Sequence, residues 1–471
     1  MDTQCNEFQF EFEGIGRRKV QADFNGGHVS SDAGAILLRE IDERLRITHH
    51  IAQCFTDYRD PELIEHSLEA LLRQRIYAIA LGYEDLNDHN DLQRDCLLAL
   101  ALGKEDIEGE QRKRASDRGK ALASASTLNR IELTPAEATE SDRYKKVVYH
   151  LEKLESLLVD LFLDLFAPSC NDIILDFDAT DDPIHGEQEG RFFHGYYDCY
   201  CYLPLYVTCG DHLLVAKLRQ ANQDASAGSV EILSRLVHRI RERWPHVNII
   251  MRADSGFTRD EIMSWCESND VYYVLGLAKN PRLLAHIVHQ QEAANIRHLL
   301  TGVAARVFTQ FQYQTLESWN CPRRVIAKAE QLRGGANPRF IVTNLPEEYA
   351  TAQALYENVY CARGEMENRI KEQQLDLFAD RTSAHTMRAN QLRLLFSSLA
   401  YVLVSAVRRI GLKDTGMAKA TCGSIRLKLF KIGAQVKMSV RRFLISMASA
   451  CPYKEVFAQA FRNIQAYPMR T

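Results

Sequence analysis

From Ile173 to Gly186 the chain reads Ile-Ile-Leu-Asp-Phe-Asp-Ala-Thr-Asp-Asp-Pro-Ile-His-Gly, a short apolar strand that runs straight into four carboxylates. The β-branched and aromatic bias of Ile173, Ile174, Leu175 and Phe177 favours a buried strand, on which Asp176 and Asp178 project from the same face. A carboxylate on a core strand must be hydrogen-bonded, protonated or bound to a cation, because burying it bare costs several kcal/mol. A hard divalent cation is the simplest partner for such a set. The other reading is a polar turn over 180–183 for which Asp178 is the first cap.

The segments that follow fix a rhythm. An aromatic-rich run (Phe192, Phe193, His194, Tyr196, Tyr197, Tyr200, Tyr202) leads into two strands, 203–209 and 213–219, joined at Gly210-Asp211. An amphipathic helix over 229–243 precedes a buried strand, 247–252, that ends on Ala253-Asp254-Ser255-Gly256; a helix over 258–267 and an apolar strand over 271–277 complete the series. Three strands, helix, strand, helix, strand is the mixed α/β order of an RNase H-like fold with helices flanking its sheet. Alternation over 305–314, 324–330 and 339–344 predicts a β-rich insertion spanning 281–346. A long helix then runs from Tyr349 past Gln374, with Gly364 as a tolerated weak point. On it Tyr360, Arg363, Glu367, Lys371 and Gln374 share one face. Such a face suits a metal site flanked by phosphate contacts, and it equally suits solvent-exposed ion pairs.

The net charge of −4 hides a split. From His385 to the end there are fifteen Lys/Arg and two Asp/Glu, so this tail carries +13 and the rest of the chain −17. The split points to a tail that meets polyanion and an acidic body that holds metal, or to a tail that neutralises the body. Within the tail we expect a helix over 385–410 and a β-ribbon over 425–440, turning near Gly433, with Arg426, Lys428 and Lys437 on its basic side and Arg441 beyond it. Before the central strand, 8–12 and 20–27 read as strands, and helices are expected over 31–45, 61–81, 91–101 and 141–166. The charged stretch 104–120 reads as exposed or mobile in isolation. The expected organisation is a mainly helical region over 1–168, an α/β core over 169–280 and 347–410 split by the insertion, and a basic region over 411–471. Twelve scattered cysteines without paired zinc spacing predict free thiols. With no secretory leader and no run of eighteen apolar residues, a cytoplasmic protein without a membrane partner is expected.

Asp178-Ala-Thr180, Arg252-Ala-Asp254-Ser-Gly-Phe257 and Tyr360-x2-Arg363-x3-Glu367 resemble the three blocks of DDE transposases from bacterial insertion sequences. The similarity is to the group with a Tyr-x2-Arg-x3-Glu-x6-Lys signature, and within it to the Insertion Sequence 1380 family. Leu175 to Gly186, Tyr202-Leu-Pro-Leu-Tyr206, Gly364-Glu-Met-Glu-Asn-Arg-Ile-Lys371 and Arg426-Leu-Lys-Leu-Phe-Lys-Ile-Gly433 carry that likeness. The signature lysine falls on Gln374, and Lys371, one turn earlier, is the candidate for its phosphate role.

The resemblance implies that Asp178, Asp254 and Glu367 are the catalytic residues and hold two Mg²⁺ ions, with Mn²⁺ as a substitute. Asp176, Asp181 and Asp182 compete for the first ligand position; Asp178 matches the Asp-x-Thr element. Double-stranded DNA is the implied partner, as terminal inverted repeats and as target, bound by a homodimer in a synaptic complex; on this resemblance 1–168 binds DNA ends, 169–280 with 347–410 is the catalytic core, and 411–471 serves DNA binding or dimerisation. Tyr360, Arg363, Lys371, Arg426, Lys428, Lys437 and Arg441 are the candidate DNA contacts. Trp319, in the loop 316–322 of the insertion, either packs beneath its loop or stacks on an unpaired base, as an aromatic there does in related enzymes. The implied activity is DNA recombination by strand cleavage and strand transfer, with the enzyme in the cytoplasm, on the nucleoid when bound to DNA. A nuclease of the same fold without strand transfer, and a DNA-binding relative without activity, are the alternatives.

Overall fold

The structure, a computed structural model, describes residues 9–166 and 172–470. They fall into two compact units: His150–Ser398, and a second unit built from the two ends of the chain, up to Tyr149 and from Leu399. The ends, expected as separate regions, are therefore one body.

The first unit is organised on a nine-stranded sheet. Its strands are β1 (Asp172–Ala179), β2 (Leu205–Cys209), β3 (His212–Lys217), β4 (Asn248–Ala253), β5 (Tyr272–Leu277), β6 (Ala305–Tyr313), β7 (Arg323–Leu332), β8 (Gly335–Ala336) and β9 (Arg339–Thr343). They lie in the order β3-β2-β1-β4-β5-β9-β7-β6, with β8 on β7. β2 is antiparallel to both β1 and β3, while β1, β4 and β5 run parallel. The first five strands thus stand 3-2-1-4-5 with only the second reversed, in a mixed sheet of the RNase H-like class expected from the sequence. Helices α1 (Leu151–Leu165), α2 (Ser229–Arg243) and α3 (Asp260–Ser268) belong to the same unit, with α4 (Val288–Thr301) after β5.

One expectation is corrected by the pairing. The strands of the 281–346 segment do not make a separate insertion: β9 bonds to β5, with Val274 opposite Thr343, and β7 and β6 extend the sheet from there. Their alternation was legible, but their partner was not, because an antiparallel strand presents the same edge to a hairpin and to a distant strand.

The pleat of β1 divides its side chains between two layers. Ile173, Leu175 and Phe177 enter a core with Leu233, Leu236, Met251 and Met263. Ile174 faces the opposite layer, where Ile250, Val274, Ile326 and Ile341 pack with Leu355 and Tyr356. Asp176 and Asp178 share the face of Ile174 by the period of two. That layer is covered by the helical run 352–376, whose centre is α5 (Gly364–Lys371). The run is less regular than the sequence suggests: wide π-type turns at Leu355–Tyr360 and Glu372–Asp376 and a tight 3₁₀ turn at Cys361–Arg363 flank α5. Such interruptions rotate the faces of a helix relative to a regular 3.6-residue spacing and recur at functional sites.

In the second unit, the expected helices are shorter. Leu68–Leu81 starts at Ser67, whose hydroxyl accepts from Ala70 N at 3.2 Å, and Asp88–Leu92 and Cys96–Ala101 replace a single helix over 91–101. The helix expected over 141–166 begins only at Leu151, because Val147–Tyr149 is a strand paired with Phe55–Asp57. The stretch 104–120 is not loose: Arg112 pairs with Glu65 at 2.7 Å, and Asp106 accepts from the backbone of Gly109 and Gln111. The ribbon expected over 425–440 is displaced. Cys422–Ile425 and Arg426–Phe430 are helical, and the strand pair is Ala434–Ser439 with Arg442–Met447, turning at Val440-Arg441 instead of Gly433. Met387–Ala406, extended by a turn at Val407–Gly411, is long and apolar enough to cross a membrane, and most of it is buried within the protein. The described cysteines are free thiols.

Candidate active site

Two central parallel strands deliver the first two acids. Asp178 stands near the end of β1 opposite Tyr206 of β2, and Asp254 immediately follows β4, the parallel neighbour of β1. Asp254 caps the turn Ser255–Phe257, its Oδ1 accepting from Gly256 N at 2.8 Å. The third acid, Glu367, comes from α5, above the same end of the sheet. All three line one cleft of about 530 Å³, together with Arg363, Lys371 and Gln374.

Arg363 lies between the acids. Its Nη1 donates to Asp178 Oδ2 at 3.1 Å and its Nη2 to Glu367 Oε1 at 2.6 Å. Burial pushes the Asp178 carboxyl up to about 7; Arg363 opposes this, and the charges of Asp254 and Glu367 add to it. The donor set, three carboxylates with hard oxygens that repel one another, is chemically suited to a divalent cation. The guanidinium supplies the positive charge between the first and third acids. Among the described residues no three such side chains stand close enough to hold a metal ion, and the first and third acids are paired with Arg363.

Asp176, a competing candidate, is engaged elsewhere. Its cross-strand neighbour Arg252 grips it with two bonds, Nε to Oδ1 at 2.5 Å and Nη2 to Oδ2 at 2.7 Å, and donates a third from Nη1 to Val359 O at 2.5 Å. This pair ties the sheet to the helical run that carries Glu367. Asp182 is buried with Thr382 donating to it at 3.2 Å, and burial pushes its carboxyl up. The Asp181 carbonyl takes the amide of Gln374 at 3.0 Å.

Tyr360 sits behind the cleft. Its hydroxyl passes over Gly276 so closely that a Cβ there would stand 2.5 Å from Oη and 2.9 Å from Ser255 N. Gly276→Ala therefore forces Tyr360 and the Asp254 turn apart; overpacking of this kind costs about 1–3 kcal/mol. We expect a lower urea midpoint, partly restored in Gly276→Ala/Tyr360→Phe, and an unchanged midpoint in the single variant would show that the contact relaxes freely.

The other candidates do not join the cleft. Trp319 is 6% exposed in the main core, its ring edge-on to Tyr313 at 5.8 Å and covered by the Arg323 guanidinium, so it packs beneath its loop and offers no face to a base. Arg426, Lys428, Lys437 and Arg441 belong to the other unit. Arg426 and Lys428 lie on the helical turn Arg426–Phe430, with the Lys428 ammonium over the Tyr453 ring, and Lys437 and Arg441 lie on and at the tip of the exposed strand pair. Among the cleft residues, the rings of His194, Tyr196 and Tyr197 had no assigned role in the sequence reading, whereas Thr180 belongs to the Asp-x-Thr element. The aromatic run signalled these three rings, without a reason to bring them to the acids.

An RNase H-like sheet that gathers three carboxylates at the ends of β1 and β4 and on a following helix defines the DDE class of proteins. The chain belongs to the transposase DDE domain group 1 family, whose model matches residues 12–469. Among solved structures it is similar to piggyBac transposase in a synaptic complex with hairpin DNA, with a TM-score of 0.45 and 10% identity over 85% of this chain and 80% of that one. No curated protein matches it.

Proposed function

We propose that the protein is the transposase of an insertion sequence of the Insertion Sequence 1380 family, which cleaves DNA strands at the terminal inverted repeats and joins the freed ends to target DNA. The convergence of Asp178, Asp254 and Glu367 on one cleft, with Arg363 between them, carries this reading. These acids would hold Mg²⁺, as two ions, or Mn²⁺, and the metal when bound supplies Lewis-acid polarisation of the phosphodiester and an activated water or 3′-hydroxyl. Arg363, released from the carboxylates, presents a planar fork that suits the non-bridging oxygens of the phosphate. Lys371, exposed at the cleft edge, supplies a cation where the signature lysine is replaced by Gln374, whose amide is held by the Asp181 carbonyl. Tyr360 packs over Gly276, beside the Asp254 turn. Lys437 and Arg441, with Arg426 and Lys428, bind phosphates along the duplex irrespective of sequence, and a homodimer brings two DNA ends together.

The test is incubation of the full chain and Mg²⁺ with a labelled duplex made from the DNA flanking its own coding sequence. Strand-transfer products are expected. Cleavage without joining identifies a nuclease, and a mobility shift without products identifies a binder.

Asp178 makes this activity pH-dependent. Its carboxyl is raised from an ordinary 3.8 to about 7, so the metal-free folded protein holds that proton, and its contribution to stability is lost as pH rises through about 7. Metal must displace the proton. Calorimetric titration with Mg²⁺ should show affinity rising up to roughly tenfold per pH unit below that value and levelling above it, with proton release on the acid side. An affinity flat with pH would remove Asp178 from the ligand set.

A further inference from the structure

The aromatic run 192–202 takes no part in holding the carboxylates, yet it forms one wall of their cleft. Phe192–His194 pairs with Cys199–Tyr202, which pairs in turn with Asp182–Pro183, so this ribbon is rooted just past Asp178. Its turn closes with Asp198 N donating to His194 O at 2.9 Å. Tyr197 points inward: its hydroxyl donates to Ala179 O at 3.5 Å, and its ring packs on His194 and Tyr196 with centroids 4.9 and 5.0 Å apart. Tyr196, at the tip, is 85% exposed. Phe193 and Tyr200, also exposed, meet edge-to-face at 5.6 Å, and the Arg191 guanidinium lies 4.8 Å over the Tyr200 ring.

Exposed rings mark a binding surface. Tyr196 lines the cleft together with Arg363 and Lys371, while the cross-strand pair Phe193 and Tyr200, with Arg191, stands on the other face of the ribbon. Rings for a flat partner and cations for an anionic one are the chemistry of a nucleotide chain. We propose that the ribbon 192–202 is a stacking platform for unpaired bases of the DNA strand whose phosphodiester lies in the cleft, with Tyr196 as the leading ring. The identity of the polymer rests on the transposase reading. Every base offers a π face, so the platform selects unpaired nucleotides and not a sequence; a base already unpaired also spares the cost of leaving its stack.

The test uses the full chain without divalent metal and two short duplexes, one with 2-aminopurine opposite an abasic site and one fully paired. Fluorescence quenching reports stacking, and titration gives the affinity for each. Wild type should prefer the unpaired duplex by about tenfold or more and quench its probe. Tyr196→Ala should lose both the preference and the quenching, Tyr196→Phe should keep them, and Phe193→Ala, on the other face of the ribbon, should leave them unchanged. Leu300→Ala, at a similarly exposed residue of α4, should behave as wild type. Preference and quenching that survive Tyr196→Ala, or a wild type without preference, would overturn the proposal. So would a Tyr196→Ala variant that changes only the self-association of the protein, which would make this face a contact between copies. The catalytic reading fails separately: wild type that quenches the probe but yields no cleaved DNA when given Mg²⁺ would keep the platform and refute the transposase.

Discussion

Asp178→Ala, Asp254→Ala and Glu367→Ala each lower single-turnover DNA cleavage by at least about a hundred- to a thousandfold, the scale on which charge stabilisation is lost when one preorganised group is removed. Binding to duplex does not fall with it. Each variant deletes a negative charge from a cleft that must accept a phosphate, and Asp178→Ala or Glu367→Ala also frees one arm of Arg363 for that phosphate. Mobility-shift affinity should therefore be kept or improved while product vanishes. A variant that retains a substantial part of wild-type cleavage takes its residue out of the catalytic set.

Arg252→Met has its largest effect on stability. It leaves Asp176 buried and without its two charged bonds, and breaking one side of a buried pair costs about 3–5 kcal/mol. The Asp176 carboxyl is already pushed up by burial against the pull of Arg252, and losing the guanidinium pushes it further. A raised folded-state value means stability is lost as pH rises through it, so the deficit should grow from mildly acid to mildly alkaline conditions in urea titrations. Replacing both residues, as Asp176→Leu/Arg252→Met, removes the stranded charge and should recover most of the loss. A double variant no more stable than Arg252→Met would show that the bond from Arg252 to Val359 O dominates.

How much of this could be read in advance depended on what each signal constrains. Asp178 and Asp254 were legible because apolar strands ran into them, and the strand and helix order led to the RNase H-like fold class, while the spatial order 3-2-1-4-5 came only from the pairing. Glu367 needed the motif, since its helix face resembles any charged face; the structure adds that π-type turns on either side set where that face points. Spacing could not distinguish Asp176 from Asp178. The distinction is made by register, which places Arg252 opposite Asp176. At 425–440 two periods competed. Ile425, Leu427 and Leu429 alternate, but only Ile425 and Leu429, four apart, are buried, and Leu427 is 70% exposed, as a helix dictates. For Trp319 the sequence left packing and stacking open, and the structure selects packing, since a loop aromatic with no periodic partner can fold back onto the core.

The central claim is that the three acids form one metal site acting directly on a DNA phosphodiester. The measurement that meets it most directly replaces a non-bridging oxygen of the scissile phosphate with sulfur and compares cleavage in Mg²⁺ and Mn²⁺. Mg²⁺ binds sulfur poorly and Mn²⁺ tolerates it. The account predicts that the sulfur substrate is cut slowly in Mg²⁺, that Mn²⁺ restores the rate, and that Glu367→Ala is rescued by neither. Equal rates for both substrates in Mg²⁺, or cleavage that persists in Glu367→Ala, would contradict it.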